Sequence, residues 1–194
     1  MRLVVGLGNP GREYDGTRHN VGFDLIDRIS RSLNASSFQA RMEGLIAESG
    51  SGEGKVLLLK PQTFMNLSGR CVSKVLQFYK IDIGMMMVVC DDKDLPLGKL
   101  RIRASGSHGG NNGLRSIQDH IGPDYSRLKV GIGEPKRGDA VAHVLGRFSG
   151  SERTEMEKAM ELGAMAVETW LAEGLTVCMN RFNAGPDKGS SGRS

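Results

Sequence analysis

Few side chains in this sequence are placed to move a proton, and one histidine stands apart from the others by its surroundings. Of four histidines, His19 lies in an irregular polar loop just before an amphipathic segment, a setting in which an imidazole can serve as a general base. His120 and His143 fall in helical or near-helical stretches and read as structural or solvated. Asp91 directly follows the apolar run Met86 to Cys90, where a carboxylate can meet such a ring and hold its tautomer. It reads equally well as a turn aspartate, because Asp91-Asp92-Lys93-Asp94 precedes Leu95-Pro96. Asn9, Asn66 and Asn112 add amides that both donate and accept hydrogen bonds. Each has a plainer role as well: Asn9 as a turn residue before Pro10, Asn66 and Asn112 as helix N-caps. Together these groups are the parts of base-assisted attack on a carbonyl.

No serine or cysteine is set up as a nucleophile. Ser68 stands near a helix start, where a cap is expected, and Cys90 ends a buried strand as a small hydrophobe. Direct attack by water fits this set better than a covalent intermediate. No cluster has metal-ligand spacing, so neither a metal nor another cofactor is expected. Gly6, Gly8 and Gly11 do satisfy the G-x-G-x-x-G dinucleotide pattern after an apolar strand. That pattern needs a helix N-terminus facing the pyrophosphate. Here Pro10-Gly11 is a turn, Arg12 to Asn20 has no apolar periodicity, and the first amphipathic helix starts only near Asn20.

Charge is concentrated in Lys99-Leu100-Arg101-Ile102-Arg103, where period-two alternation puts three cations on one strand face. Arg127-Leu128-Lys129-Val130 repeats the pattern. Such faces are often simply solvated. Two of them near Gly106-Ser107-His108-Gly109-Gly110, whose amides lead into a helix N-terminus, also suit a phosphate. The net charge of +4 permits a polyanionic partner without requiring one.

Positioning these residues requires an α/β architecture. Strands are expected at about 2–7, 44–49, 54–60, 86–90, 98–104 and 127–132, and helices at about 20–33, 66–80, 112–121 and 152–173. Their alternation predicts a single-domain α/β sandwich over residues 1–183, with a central mixed, mostly parallel twisted sheet flanked by helices. The segment Ser49 to Gly54 reads as a hairpin turn, which makes the sheet mixed. Ligands gather beyond the carboxyl ends of strands in such sheets, and Asn9, His19, Asn66 and Asp91 all follow strands. The Gly/Ser-rich tail 184–194 is expected to be disordered. The three scattered cysteines include no C-x-x-C pair, which favours a reducing compartment. The N-terminus passes straight into a core strand and no run of about 18 apolar residues occurs, so neither a signal peptide nor a membrane span is expected.

Five segments carry a more specific signal: Gly6-Leu7-Gly8-Asn9-Pro10-Gly11, Thr17-Arg18-His19-Asn20, Phe64-Met65-Asn66-Leu67-Ser68-Gly69, Asp91-Asp92-Lys93-Asp94-Leu95-Pro96 and Gly109-Gly110-Asn111-Asn112-Gly113. In this order and spacing the chain resembles bacterial-type peptidyl-tRNA hydrolase from Met1 to about Asn183. The resemblance implies hydrolysis of the ester between peptide and tRNA, with His19 as base, Asp91 as its partner, and Asn9, Tyr14, Asn66 and Asn112 contacting substrate. It implies tRNA as the partner, bound by its acceptor stem. Arg101, Arg103 and Lys129 would contact it, with Arg103 and Lys129 at the positions of a clamp on the 5′-phosphate. A cytoplasmic monomer is expected, or an organellar one if a transit peptide has been removed. The sequence departs from the common pattern at Arg101 and Arg103, where many relatives carry lysine, and at Cys90 and Asn111, where they commonly carry histidine. Two alternatives accompany this reading: a non-catalytic RNA-splicing adaptor of the same fold, and a nicotinamide or flavin enzyme motivated by the glycine pattern.

Overall fold

Val4 faces one apolar layer while its neighbours Leu3 and Val5 face another, so the N-terminal run is apolar throughout because it is buried on both sides. The computed structural model describes residues 1–135 and 139–183, and the expected tail disorder lies outside them. Seven strands form one sheet: β1 (Arg2–Gly6), β2 (Gln39–Arg41), β3 (Gly44–Ser49), β4 (Val56–Pro61), β5 (Met86–Asp92), β6 (Leu100–Arg103) and β7 (Ser126–Gly131), in the order β2-β3-β4-β1-β5-β7-β6. Strands β4, β1, β5 and β7 are mutually parallel, while β3 pairs antiparallel with β2 and β4, and β6 with β7. The mixed sheet and the hairpin between β3 and β4 are as the sequence predicts.

The helices are α1 (Val21–Ser32), α2 (Ser68–Tyr79), α3 (Asn112–Ile121), α4 (Ala140–Leu145), α5 (Gly150–Glu173) and α6 (Leu175–Asn183). Helices α1, α5 and α6 cover one face of the sheet, and α2 and α3 cover the other. Three elements were not expected from the pattern. All three residues of β2 are exposed, and none of α4 is buried. Helix α6 buries only Cys178, so its apolar periodicity is weak. Among the described residues no helix is long and apolar enough to cross a membrane.

The glycine pattern at the N-terminus is explained by packing. A side chain on Gly6 would run into the Gly22 carbonyl and Ile26 of α1, so Gly6 lets the helix lie directly on the strand. Gly11 adopts φ 116, a conformation L side chains rarely take, and a single 3-10 turn, Arg12–Tyr14, follows it. No helix N-terminus stands at the end of β1 to receive a pyrophosphate, as the sequence reading anticipates.

Candidate active site

The loop between β1 and α1 is closed by its own asparagines. Asn9 N–H donates to Asn20 Oδ1 at 2.9 Å, and Asn20 Nδ2 returns a bond to the Asn9 carbonyl at 3.0 Å. Asn20 is buried, and this reciprocal pair fixes the 3-10 turn Arg18–Asn20 that presents His19. Arg18 secures the other side. Its guanidinium grips both oxygens of Glu152 at 3.0 Å and stacks on Phe148 at 4.6 Å, while its N–H donates to the Gly146 carbonyl. The Ser149 N–H, followed by Arg18, pulls the Glu152 carboxyl down to about 2. Neither Asn20 nor Arg18 was singled out by residue type. Ser149-x-x-Glu152 was legible, however, as a capping box at the start of α5.

Because Glu152 is depressed in the folded chain, the pair stabilises the fold above the ordinary glutamate range and loses that contribution as pH falls toward 2. Glu152→Gln is therefore expected to lower Tm by about 1–3 °C near neutral pH, the scale of a partly exposed ion pair in a chain of this size. Thermal melts at stepwise lower pH should show the two proteins converging; a constant gap would contradict the assignment.

Asp91 stands near the carboxyl end of β5 with only 5% of its surface exposed. It is a strand residue, and the turn reading is incorrect. His19 Nδ1 lies 2.9 Å from Asp91 Oδ1. A carboxylate only accepts, so Nδ1 carries the proton of this bond, which makes Nε2 the lone-pair nitrogen of the neutral ring. A cavity of about 130 Å³ opens beside the pair, bordered by Lys93, His108, Asn112, Lys129 and Val141. Of the other histidines, His108 borders the same cavity with its Nδ1 accepting from the Gly110 N–H, while His120 Nδ1 meets the Ser116 carbonyl and His143 Nε2 the Gly133 carbonyl.

The asparagines divide into two groups. Asn9 Oδ1 accepts from Met65 N–H at 2.8 Å, which orients its amide and brings the turn Met65–Leu67, with exposed Asn66, alongside β1. Asn112 is exposed on the cavity border at the first position of α3, and the cap of that helix is its neighbour Asn111. Asn66 is likewise not a cap, since it lies in the turn before α2. The Gly69 N–H donates to Ser116 Oγ at 3.0 Å, tying α2 to α3 and so the two groups to each other. Tyr14 is half-buried in the turn after Gly11, outside the residues bordering the cavity.

Ser68 does not cap α2. It is fully buried and donates to the Met65 carbonyl at 2.8 Å. Burial pushes the Cys90 thiol up beyond any useful thiolate range. Neither group is set up to serve as a nucleophile.

Arg101 and Arg103 project from β6 into solvent while Leu100 and Ile102 face inward. Cross-strand pairing sets Arg101 opposite Lys129 and Arg103 opposite Arg127. A second cavity of about 210 Å³ lies there, with Ser105 and Ser107 on its border. The strand carrying Arg127 and Lys129 is not the solvated cationic face its alternation suggests. Arg127 is fully buried, donating to the carbonyls of Gly106, Ser107 and Pro123, so it shapes the loop before α3. Lys129 Nζ pairs with Asp92 Oδ2 at 2.9 Å. At the start of α3, the N–H groups of Gly113 and Leu114 are taken by Asn111 Oδ1, so they are not open donors for a phosphate.

Comparison with known proteins identifies the family. The profile of the family described as peptidyl-tRNA hydrolase matches residues 3–190. A peptidyl-tRNA hydrolase of Halalkalibacterium halodurans is 45% identical over 185 residues, covering 94% of this chain and all of the relative. One from Caldanaerobacter subterraneus is 48% identical with the same coverage. The crystal structure of peptidyl-tRNA hydrolase from Acinetobacter baumannii superposes with a TM-score of 0.89 at 35% identity, covering 95% of each chain. Sequence and fold therefore converge, and the chain belongs to the peptidyl-tRNA hydrolase family.

Proposed function

We propose that this chain hydrolyses the ester linking peptide to tRNA in peptidyl-tRNA, releasing free peptide and reusable tRNA. The observation that carries the chemistry is the 2.9 Å contact between His19 Nδ1 and Asp91 Oδ1 beside an open cavity. His19 Nε2 takes a proton from water as its oxygen attacks the ester carbonyl carbon. Asp91 stabilises the imidazolium that forms, and the same proton passes to the tRNA oxygen as the carbon–oxygen bond breaks. Asn9 Nδ2, with no protein partner among the described residues, is a donor for the developing oxyanion. Asn66, Asn112 and Tyr14 contact the peptide and the 3′ end. The enzyme acts as a cytoplasmic monomer. The paired His19 and Asp91 favour a catalyst over an RNA-splicing adaptor. Release of an N-blocked peptide from peptidyl-tRNA, with free aminoacyl-tRNA spared, is the expected result; absence of hydrolysis would overturn the proposal.

On the RNA side, Arg101, Arg103 and Lys129 hold the acceptor stem, with Arg103 and Lys129 on the terminal phosphate. Arg103→Ala should raise KM by about tenfold or more with little change in kcat, since charge-assisted contacts contribute about 1.5–3 kcal/mol. Lys129→Ala should cost at least as much, because it also uncovers the Asp92 carboxylate next to the bound phosphate. Asp92→Asn should act in the opposite sense and tighten binding by releasing the ammonium. Substrate lacking its 5′-phosphate supplies the control. Equal impairment of both substrates would show a general electrostatic surface rather than a clamp.

A further inference from the structure

We infer that Asn111 is a positioning residue for the His19–Asp91 pair, holding the same carboxylate oxygen that meets the base and locking it to the start of α3. The inference rests on the proposed roles of His19 and Asp91 and adds a third member that acts through Asp91.

The amide of Asn111 has one available orientation. Its Oδ1 accepts from the N–H groups of Gly113 at 3.0 Å and Leu114 at 3.1 Å, as the N-cap of α3. An oxygen there is required, because an NH₂ would face two donors. Nδ2 is thereby directed at Asp91, 2.9 Å from Oδ1 and 3.4 Å from the backbone carbonyl. The backbone of Asn111 is also engaged, donating to the His108 carbonyl and accepting from Arg115, both at 3.0 Å. A residue tied at so many points has little freedom, so the donor it offers is fixed in space.

Asp91 Oδ1 thus receives two donors, His19 Nδ1–H and Asn111 Nδ2–H, each at 2.9 Å. With only the imidazole bonded to it, the carboxylate could rotate about its χ2 bond, which has a broad torsional profile. The second donor removes that freedom and sets the angle at which His19 is held. An amide does not ionise, so the hold is the same wherever the imidazole titrates. Asp92, paired with Lys129, together with Lys93 and His108, completes the charged and titratable border of the cavity.

Capping and positioning can be separated by substitution. Asn111→Asp and Asn111→Ser both keep an oxygen able to cap α3, but neither leaves an amide NH₂ directed at Asp91. If Asn111 only caps the helix, Asn111→Ser should melt and turn over like the parent, whereas Asn111→Asp sets a second carboxylate against Asp91 Oδ1 and is read chiefly through its pH profile. The positioning role predicts Tm within a few degrees of the parent, KM little changed, and kcat reduced by about tenfold or more in each. In Asn111→Asp the added negative charge favours the imidazolium, so the acid limb of the pH–rate profile should move to higher pH. The decisive comparison repeats Asn111→Ser in an Asp91→Ala background, where a residue acting through Asp91 has nothing left to hold and kcat should change by less than about twofold. Parental kcat in both single variants, or the same loss with and without Asp91, would overturn the inference. If Asp91→Ala alone turned over normally, the proposed base pair itself would fail, a result distinct from failure at Asn111.

Discussion

Replacing His19 with alanine is expected to reduce turnover by about 10²- to 10⁴-fold, the usual contribution of a positioned general base, while the fold survives. The side chain is 12% exposed and lies at the cavity rather than in either apolar layer. The loop is held by others, through the reciprocal bonds of Asn9 and Asn20 and the grip of Arg18 on Glu152. Binding of tRNA should be retained, because the cations assigned to it lie on β6 and β7 rather than in this loop. The decisive measurement is single-turnover peptide release by parent and variant, alongside Tm and tRNA affinity. A rate within a factor of two of the parent would remove His19 from the chemistry.

What the sequence revealed about this site follows from how local each signal is. Strands β1 and β5 are buried on both faces, so their apolar runs mark the middle of a sheet, and the polar residues just after them mark its edge. That logic alone brings His19 and Asp91 to the same region. It could not assign Asp91 to a strand, because its neighbours Asp92, Lys93 and Asp94 have the composition of a turn. Asn111 stands out in the sequence only as a departure from a commoner ring. Its two bonding directions, one to its own helix and one across to β5, involve a partner 20 residues away, which no short pattern encodes.

The charged strands show the same limit. Alternation in Leu100 to Arg103 predicts the observed face because β6 is an edge strand with one side in solvent. The same alternation misleads for Arg127, since β7 lies between β5 and β6 and is covered on both faces. A period-two pattern states which residues share a face; it does not state whether that face meets water. Pairing of Lys129 with Asp92, 37 residues apart, likewise emerges only when β5 and β7 are laid side by side.

Asp91→Asn is expected to lower kcat by about 10²-fold with little change in KM, and the geometry indicates which property is lost. Two donors converge on Oδ1, from His19 and from Asn111. A carboxamide at position 91 would therefore settle with its oxygen toward them and its NH₂ in the place of Oδ2, which meets no side-chain donor among the described residues. The His19 tautomer should survive, because Nδ1–H still has an acceptor. The negative charge does not survive, and with it goes the stabilisation of the imidazolium that forms as water is deprotonated. The same loss makes protonation of the resting imidazole harder, so the acid limb of the pH–rate profile should move to lower pH, opposite to the shift expected for Asn111→Asp. A variant with parental kcat and an unmoved profile would show that Asp91 supplies neither charge nor orientation. A large loss with the acid limb unmoved would instead locate the damage in ring geometry, through a flipped amide that presents NH₂ to His19.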